Sequence, residues 1–203
     1  MKSLFAAIAR FITGANPRWV GGAPDNRQRI YFANHTSHLD ALVIWAALPA
    51  DVRALTRPVA ARDYWTKNGL RRYVANEIFN AVLIERRKPT AHDNPLTDMR
   101  NALGDGHSLI IFPEGTRQMG TDIGPFKGGL FHLANDCPQL DFVPVLVENL
   151  NRILPKGEFL PVPLLGSVSF GPAIRLEHGE EKIAFLNRAL AAVKALQNHA
   201  CQV

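Results

Sequence analysis

Two short polar blocks hold the residues with which this chain could do chemistry. Asn34-His35-Thr36-Ser37-His38-Leu39-Asp40 contains a base and a carboxylate close enough to pair, and Phe112-Pro113-Glu114-Gly115-Thr116-Arg117 supplies a tight polar loop with a cation. A base beside an anion-holding loop suits acyl transfer to an alcohol. The base takes the hydroxyl proton, and the loop faces the developing negative charge.

Spacing decides what the first block can do. If Thr36 or Ser37 caps a helix, Asp40 falls in its first turn and His35 in the turn before it, so the carboxylate can fold back onto the imidazole. The helix dipole favours a carboxylate there, and that carboxylate can hold the tautomer that leaves the other ring nitrogen free. An ordinary imidazole titrates at about 6.5, so it can take a hydroxyl proton and return it to a leaving thiolate. A dyad of His35 and Asp40 needs no protein nucleophile, because the substrate's own alcohol attacks. The same residues also admit a capped helix whose histidines satisfy backbone groups. A third reading is a metal site of His35, His38 and Asp40, although no fourth ligand recurs at a recognisable spacing, and no metal is expected. His38 reads as a first-turn residue pointing elsewhere.

In the second block Pro113 stops a strand and Gly115 permits an unusual turn, so Glu114, Thr116 and Arg117 are presented from a rigid loop. Arg117 could grip a phosphate in bidentate fashion, and amides near Gly115 could face an oxyanion. Glu114 and Arg117 could instead pair across the turn, which would leave Arg86 without a role.

The elements that must position these blocks alternate. Residues 29–33 read as a strand, the stretch from Ser37 to Leu48 as a helix, 52–61 as strand-like with a break at Pro58, and 64–75 as a helix. A short strand over 81–84, a helix over 95–103, a strand over 108–112 and a helix over 129–135 follow. Strands over 142–147 and 168–176 precede a final helix over 180–198, and the Pro-rich stretch 154–163 reads as a loop. The pattern predicts an α/β fold with a central mixed, partly parallel sheet flanked by helices. His35, Arg86 and the residues from Glu114 to Arg117 all fall just past strand carboxyl ends, the edge where open α/β sheets bind ligands.

At the amino terminus Leu4, Phe5, Ile8, Phe11 and Ile12 recur at helical spacing beside Lys2 and Arg10. This short amphipathic helix could lie in a membrane interface or pack on the protein's own core, and Gly14 and Pro17 end it. Residues 1–28 read as that helix and a lead-in, within a single domain spanning 1–203.

Composition narrows the partners. Lys and Arg number 23 against 18 Asp and Glu, a net charge of +5 and a pI near 9.5, which suits an anionic partner. Nucleic acid is not expected, since the basic groups follow no zinc-finger or aromatic RNA-binding pattern. No run reaches the ~18 apolar residues of a membrane-spanning helix. Cys137, read as a core or helix-end residue, and Cys201, a tail thiol, form neither a disulfide framework nor a metal pattern. With no signal peptide, they point to the cytoplasm.

The two blocks resemble the first and third signature blocks of the glycerolipid acyltransferases, the family that includes lysophosphatidic acid acyltransferase. Val143-Pro144-Val145 is similar to the fourth block, and Phe126-Lys127-Gly128-Gly129 resembles the basic segment that follows the third. The resemblance implies catalysis by His35 and Asp40, with acyl-CoA or acyl carrier protein as co-substrate and no cofactor. It implies a lysophospholipid acceptor, most simply 1-acylglycerol-3-phosphate going to phosphatidic acid. Glu114, Gly115, Thr116, Arg117 and Lys127 would bind that acceptor, with Arg86 on its phosphate. The second block departs from the family, with Asn80 and Leu83 where Gly and Phe are usual. Many relatives have longer apolar amino-terminal segments, so a peripheral protein on the anionic inner face of the cell membrane is expected. The departures leave open a different alcohol or amine acceptor, and a non-catalytic membrane-lipid-binding module is the alternative of another class.

Overall fold

Strand β2, Arg29–Ala33, is buried along its whole length, and its side chains divide between two cores. Tyr31 and Ala33 face one apolar cluster while Ile30 and Phe32 face the other, the period-two alternation of a strand covered on both sides. The computed structural model describes residues 5–7, 10, 16–37, 39–85, 94–118, 122–148 and 166–200, with no side-chain description for 198–200. Arg86, His38, Cys201 and the 154–163 loop lie outside the described residues.

Seven strands form one sheet in the order β1-β7-β6-β2-β5-β3-β4. They are β1 (Asn16–Trp19), β2, β3 (Thr56–Ala61), β4 (Val82–Ile84), β5 (Ser108–Ile111), β6 (Asp141–Glu148) and β7 (Ser167–Phe170). All neighbours pair in parallel except β6 with β7, so the sheet is mixed and mostly parallel, as the alternation predicts. Ile30 and Phe32 lie opposite Leu109 and Ile111 of β5, which brings the carboxyl ends of β2 and β5 side by side.

On one face, helix α1 (Asp40–Ala47) buries Val43, Ile44, Ala46 and Ala47 against Tyr31 and Ala33. On the other lie α5 (Pro95–Gly104), α6 (Gly129–Asp136) and α7 (Lys182–Ala200). The Asn94 side chain caps α5 by accepting from Leu96 N, with Pro95 at its first position. Along α7, Phe185, Ala189, Val193 and Leu196 form a fully buried stripe at helical spacing.

The structure corrects the sequence reading in four places. Residues Ala50–Ala54 form helix α2, so the strand expected over 52–61 begins only at Thr56. That strand runs through Pro58, because it pairs with β5 up to Pro58 and with β4 from Val59 onward, and the missing N–H falls at the handover. The helix expected over 64–75 is broken into α3 (Arg62–Trp65), α4 (Gly69–Tyr73) and a π-helical turn, Val74–Ile78. Asn68 makes the break by capping α4 through Arg71 N. The strand expected over 168–176 stops at Phe170, with a single bridge from Ile174 to Phe142 beyond it.

Edge strand β1 was not foreseen, and Pro17 is tolerated there because β1 has one neighbour. Three of the described residues at the amino terminus contact the protein itself, while Ala7 is exposed. Ala6 is buried, Phe5 meets Phe79 edge-on, and Arg10 donates to the Ala47 carbonyl at 2.9 Å. Cys137 is a half-buried free thiol at the end of α6, with its pKa raised by burial. No helix among the described residues is long and apolar enough to cross a membrane.

Candidate functional site

The chain leaves β2 under tight restraint. Asn34 clasps β6 at two points, its amide donating to Val147 O at 2.9 Å and its oxygen accepting from Val147 N at 2.8 Å. His35 follows, held through both main-chain groups by the second polar block. Its N–H donates to Glu114 Oε1 at 2.8 Å, and its carbonyl accepts from Gln118 N at 2.9 Å. Its ring stacks on Phe112, with centroids 4.3 Å apart. Ring position is thus fixed by backbone and packing together.

Asp40 opens α1 and is fully buried. Its Oδ2 lies 2.9 Å from His35 Nδ1 and accepts from Thr36 N at 2.6 Å and Ser37 N at 2.8 Å. Of the two hydroxyls expected to cap the helix, that of Ser37 accepts from Leu39 N at 3.2 Å. Leu39 occupies the cap position, and the Asp40 carboxylate gathers the loop amides that close the turn. An acceptor already taking two amide donors draws the ring proton to Nδ1, which leaves Nε2 with its lone pair.

Past Ile111 the chain turns through Gly115, whose N–H donates to Phe112 O at 2.9 Å and whose φ is +69°. A Cβ there would stand 2.5 Å from Lys127 Nζ, which the end of that flexible side chain can clear by moving, so it is the positive φ that favours glycine. Glu114 points inward and is 3% exposed. Its second oxygen accepts from Gly124 N at 3.1 Å. Burial raises the Glu114 pKa, and the His35 and Gly124 amides oppose that rise without cancelling it.

The alternative in which Glu114 pairs with Arg117 is not what the structure contains, since both Glu114 oxygens are taken by amides. Glu114, expected from the sequence as an acceptor contact, stands behind His35 with its oxygens on the His35 and Gly124 amides. Thr116 and Arg117 are exposed and lie outside the cavity lining.

A cavity of about 450 Å³ opens at this sheet edge. His35, Gly115 and Lys127 line it, and Trp65, Met99 and Leu130 contribute to a mostly apolar wall. The structure therefore brings His35, Gly115 and Lys127 to one cavity, with Asp40 and Glu114 directly behind His35. The supports of Asn34 and Phe112 were present in the quoted blocks but carried no assigned role. Trp65, Met99 and Leu130 had no local signal, being scattered over three elements. What the arrangement can do is remove a proton from a hydroxyl group admitted to an apolar slot.

The departure in the second family-like block has a conformational explanation. Asn80 adopts φ +48°, the left-handed region in which glycine is preferred and asparagine is the tolerated substitute. Its backbone can thus take the shape that a glycine would.

Comparison with known proteins gives the family and the fold. The family model described as Acyltransferase matches residues 20–148, more than half of the chain. A 1-acyl-sn-glycerol-3-phosphate acyltransferase of Cocos nucifera is 28% identical over 181 residues, covering 84% of this chain and 56% of the relative. The human 1-acyl-sn-glycerol-3-phosphate acyltransferase alpha is 30% identical over 138 residues, covering 66% of this chain and 46% of its own length. The chain thus spans about half the length of these curated relatives. The crystal structure of the 1-acyl-sn-glycerophosphate acyltransferase PlsC from Thermotoga maritima superposes with a TM-score of 0.77 at 17% identity. It covers 100% of this chain and 79% of that one, a likeness of fold.

Proposed function

The chain belongs to the acyltransferase family, and from that premise we propose that it transfers a fatty acyl group from a thioester to the free hydroxyl of a lysophospholipid. The observation that carries the proposal is the buried Asp40 carboxylate on His35 Nδ1 at 2.9 Å, with His35 in the wall of a largely apolar cavity. In this reading His35 Nε2 takes the acceptor hydroxyl proton while the oxygen attacks the thioester carbonyl. A C–O bond forms, the C–S bond breaks, and the imidazolium gives its proton to the departing thiolate. Asp40 stabilises that imidazolium and fixes its orientation.

In this reading Gly115 and Lys127, both in the cavity wall, hold the acceptor phosphate, and Arg117 and Thr116, exposed outside the lining, add to its binding. Glu114 acts as a positioning residue, since its carboxylate ties His35 to the second block. The acceptor that fits the relatives' names is 1-acylglycerol-3-phosphate, giving phosphatidic acid, with acyl-CoA or acyl carrier protein as donor. The cavity's apolar wall would hold the acyl chain.

The test is incubation of the purified protein with palmitoyl-CoA, with and without lysophosphatidic acid, following free thiol and diacyl product together. Acceptor-dependent thiol release matched by phosphatidic acid supports the reading. Thiol release without acceptor would mark a thioester hydrolase instead. No release from either a CoA or a carrier-protein thioester would return the protein to the class of lipid-binding modules.

A further inference from the structure

The α3–α4 segment carries a surface that the proposed chemistry does not use. Leu70 is 74% exposed and Tyr73 47% exposed. Their i, i+3 spacing on α4 sets them side by side. The other large exposed apolar side chains among the described residues, Val20, Leu55 and Ile183, stand singly on different parts of the chain. Lys67, Arg71 and Arg72 flank the pair in sequence, and Arg72 donates to the Thr66 carbonyl at 3.4 Å.

This surface adjoins the cavity. Arg71 lies over the Tyr64 ring at 4.2 Å, and Tyr64 and its neighbour Trp65 line the cavity that also holds His35. Among the described residues at the amino terminus, Phe5, Ala6 and Arg10 make contacts within the protein. Two exposed apolar side chains flanked by basic residues match an anionic bilayer, which takes the apolar tips below its headgroups and the cations at the level of its phosphates.

We propose that the α3–α4 surface, with Leu70 and Tyr73 inserted and Lys67, Arg71 and Arg72 on the headgroups, is where this protein docks on anionic membranes, holding the cavity beside the lipid. The proposal rests on the lipid-acceptor reading for its purpose, but its test does not use turnover. Co-sedimentation of the full chain is measured with equimolar phosphatidylcholine–phosphatidylglycerol vesicles and with phosphatidylcholine vesicles, for the native protein and two double variants. Circular dichroism confirms that each variant is folded.

A basic side chain near an anionic surface gives about a five-fold gain in partitioning, so Lys67→Gln with Arg72→Gln should weaken anionic-vesicle binding by roughly 25-fold. Binding to neutral vesicles should not change. Leu70→Ser with Tyr73→Ser should weaken binding to the anionic vesicles by about ten-fold or more. Folded variants that sediment like the native chain would overturn the proposal, as would a native chain that ignores anionic vesicles. If vesicle binding is unchanged while the variants lose retention on immobilised acyl carrier protein, the surface docks an acidic protein and the membrane assignment is wrong.

Discussion

Replacing Glu114 by Gln separates a residue that positions His35 from one that binds the acceptor. The carboxylate is 3% exposed, and its two oxygens accept from His35 N at 2.8 Å and Gly124 N at 3.1 Å. A glutamine carbonyl can serve one of those amides, and its NH₂ then faces the other as a second donor. One of the two bonds is lost and one enclosed N–H is left without a partner, a cost of about 1–3 kcal/mol. For a chain of this size each kcal/mol lowers the melting temperature by about 2–4 °C.

The pH dependence carries a sign. Burial raises the Glu114 pKa in the folded protein, so its stabilising contribution is complete below the ordinary glutamate value of about 4.3 and is lost as pH rises through the raised value. Glutamine does not titrate. The stability gap between native and Glu114→Gln should therefore narrow between acidic and neutral pH, read from thermal unfolding of both proteins in matched buffers. In acceptor-dependent turnover, kcat should fall with KM for lysophosphatidic acid nearly unchanged. A raised KM at native kcat, together with an unchanged stability gap across pH, would refute the positioning role.

The same geometry gives three further expectations. Asp40→Asn should keep the fold but let the amide donate to Nδ1 and place the ring proton on Nε2, lowering kcat by roughly 10²–10⁴-fold in thiol-release kinetics; activity near native would remove Asp40 from the dyad. Gly115→Ala should destabilise by about 1–2 kcal/mol from its φ alone and displace Lys127, seen as a lower melting temperature and weaker acceptor use; an unchanged KM would take Lys127 out of acceptor binding. Met99→Trp should fill part of the 450 Å³ cavity and shift preference toward shorter acyl donors across a chain-length series, whereas an unshifted profile would place the acyl chain elsewhere.

Strands buried on both faces were easy to read, because Arg29–Ala33, Ser108–Ile111 and the apolar run within Asp141–Glu148 carry near-continuous hydrophobic sequence. Thr56–Ala61 was harder, since Pro58 signals a break and only the change of partner strand makes it harmless. The break between α3 and α4 comes from a cap at Asn68 within a sequence of ordinary helical composition. In the site, His35 and Asp40 were legible because their pairing is local. The bond from Glu114 to His35 N joins residues far apart in sequence, and no spacing rule reaches across two strands to find it. The cavity walls were hidden for the same reason, with Trp65, Met99 and Leu130 meeting only after the sheet has formed.

The most direct test of the account is acceptor-dependent thiol release by His35→Ala against the native chain, with circular dichroism showing both folded. Loss of the general base predicts a fall of about 10²–10⁴-fold in kcat with lysophosphatidic acid still bound. A folded His35→Ala protein that turns over within a few-fold of native would contradict the central claim that His35, held by Asp40, takes the acceptor's proton.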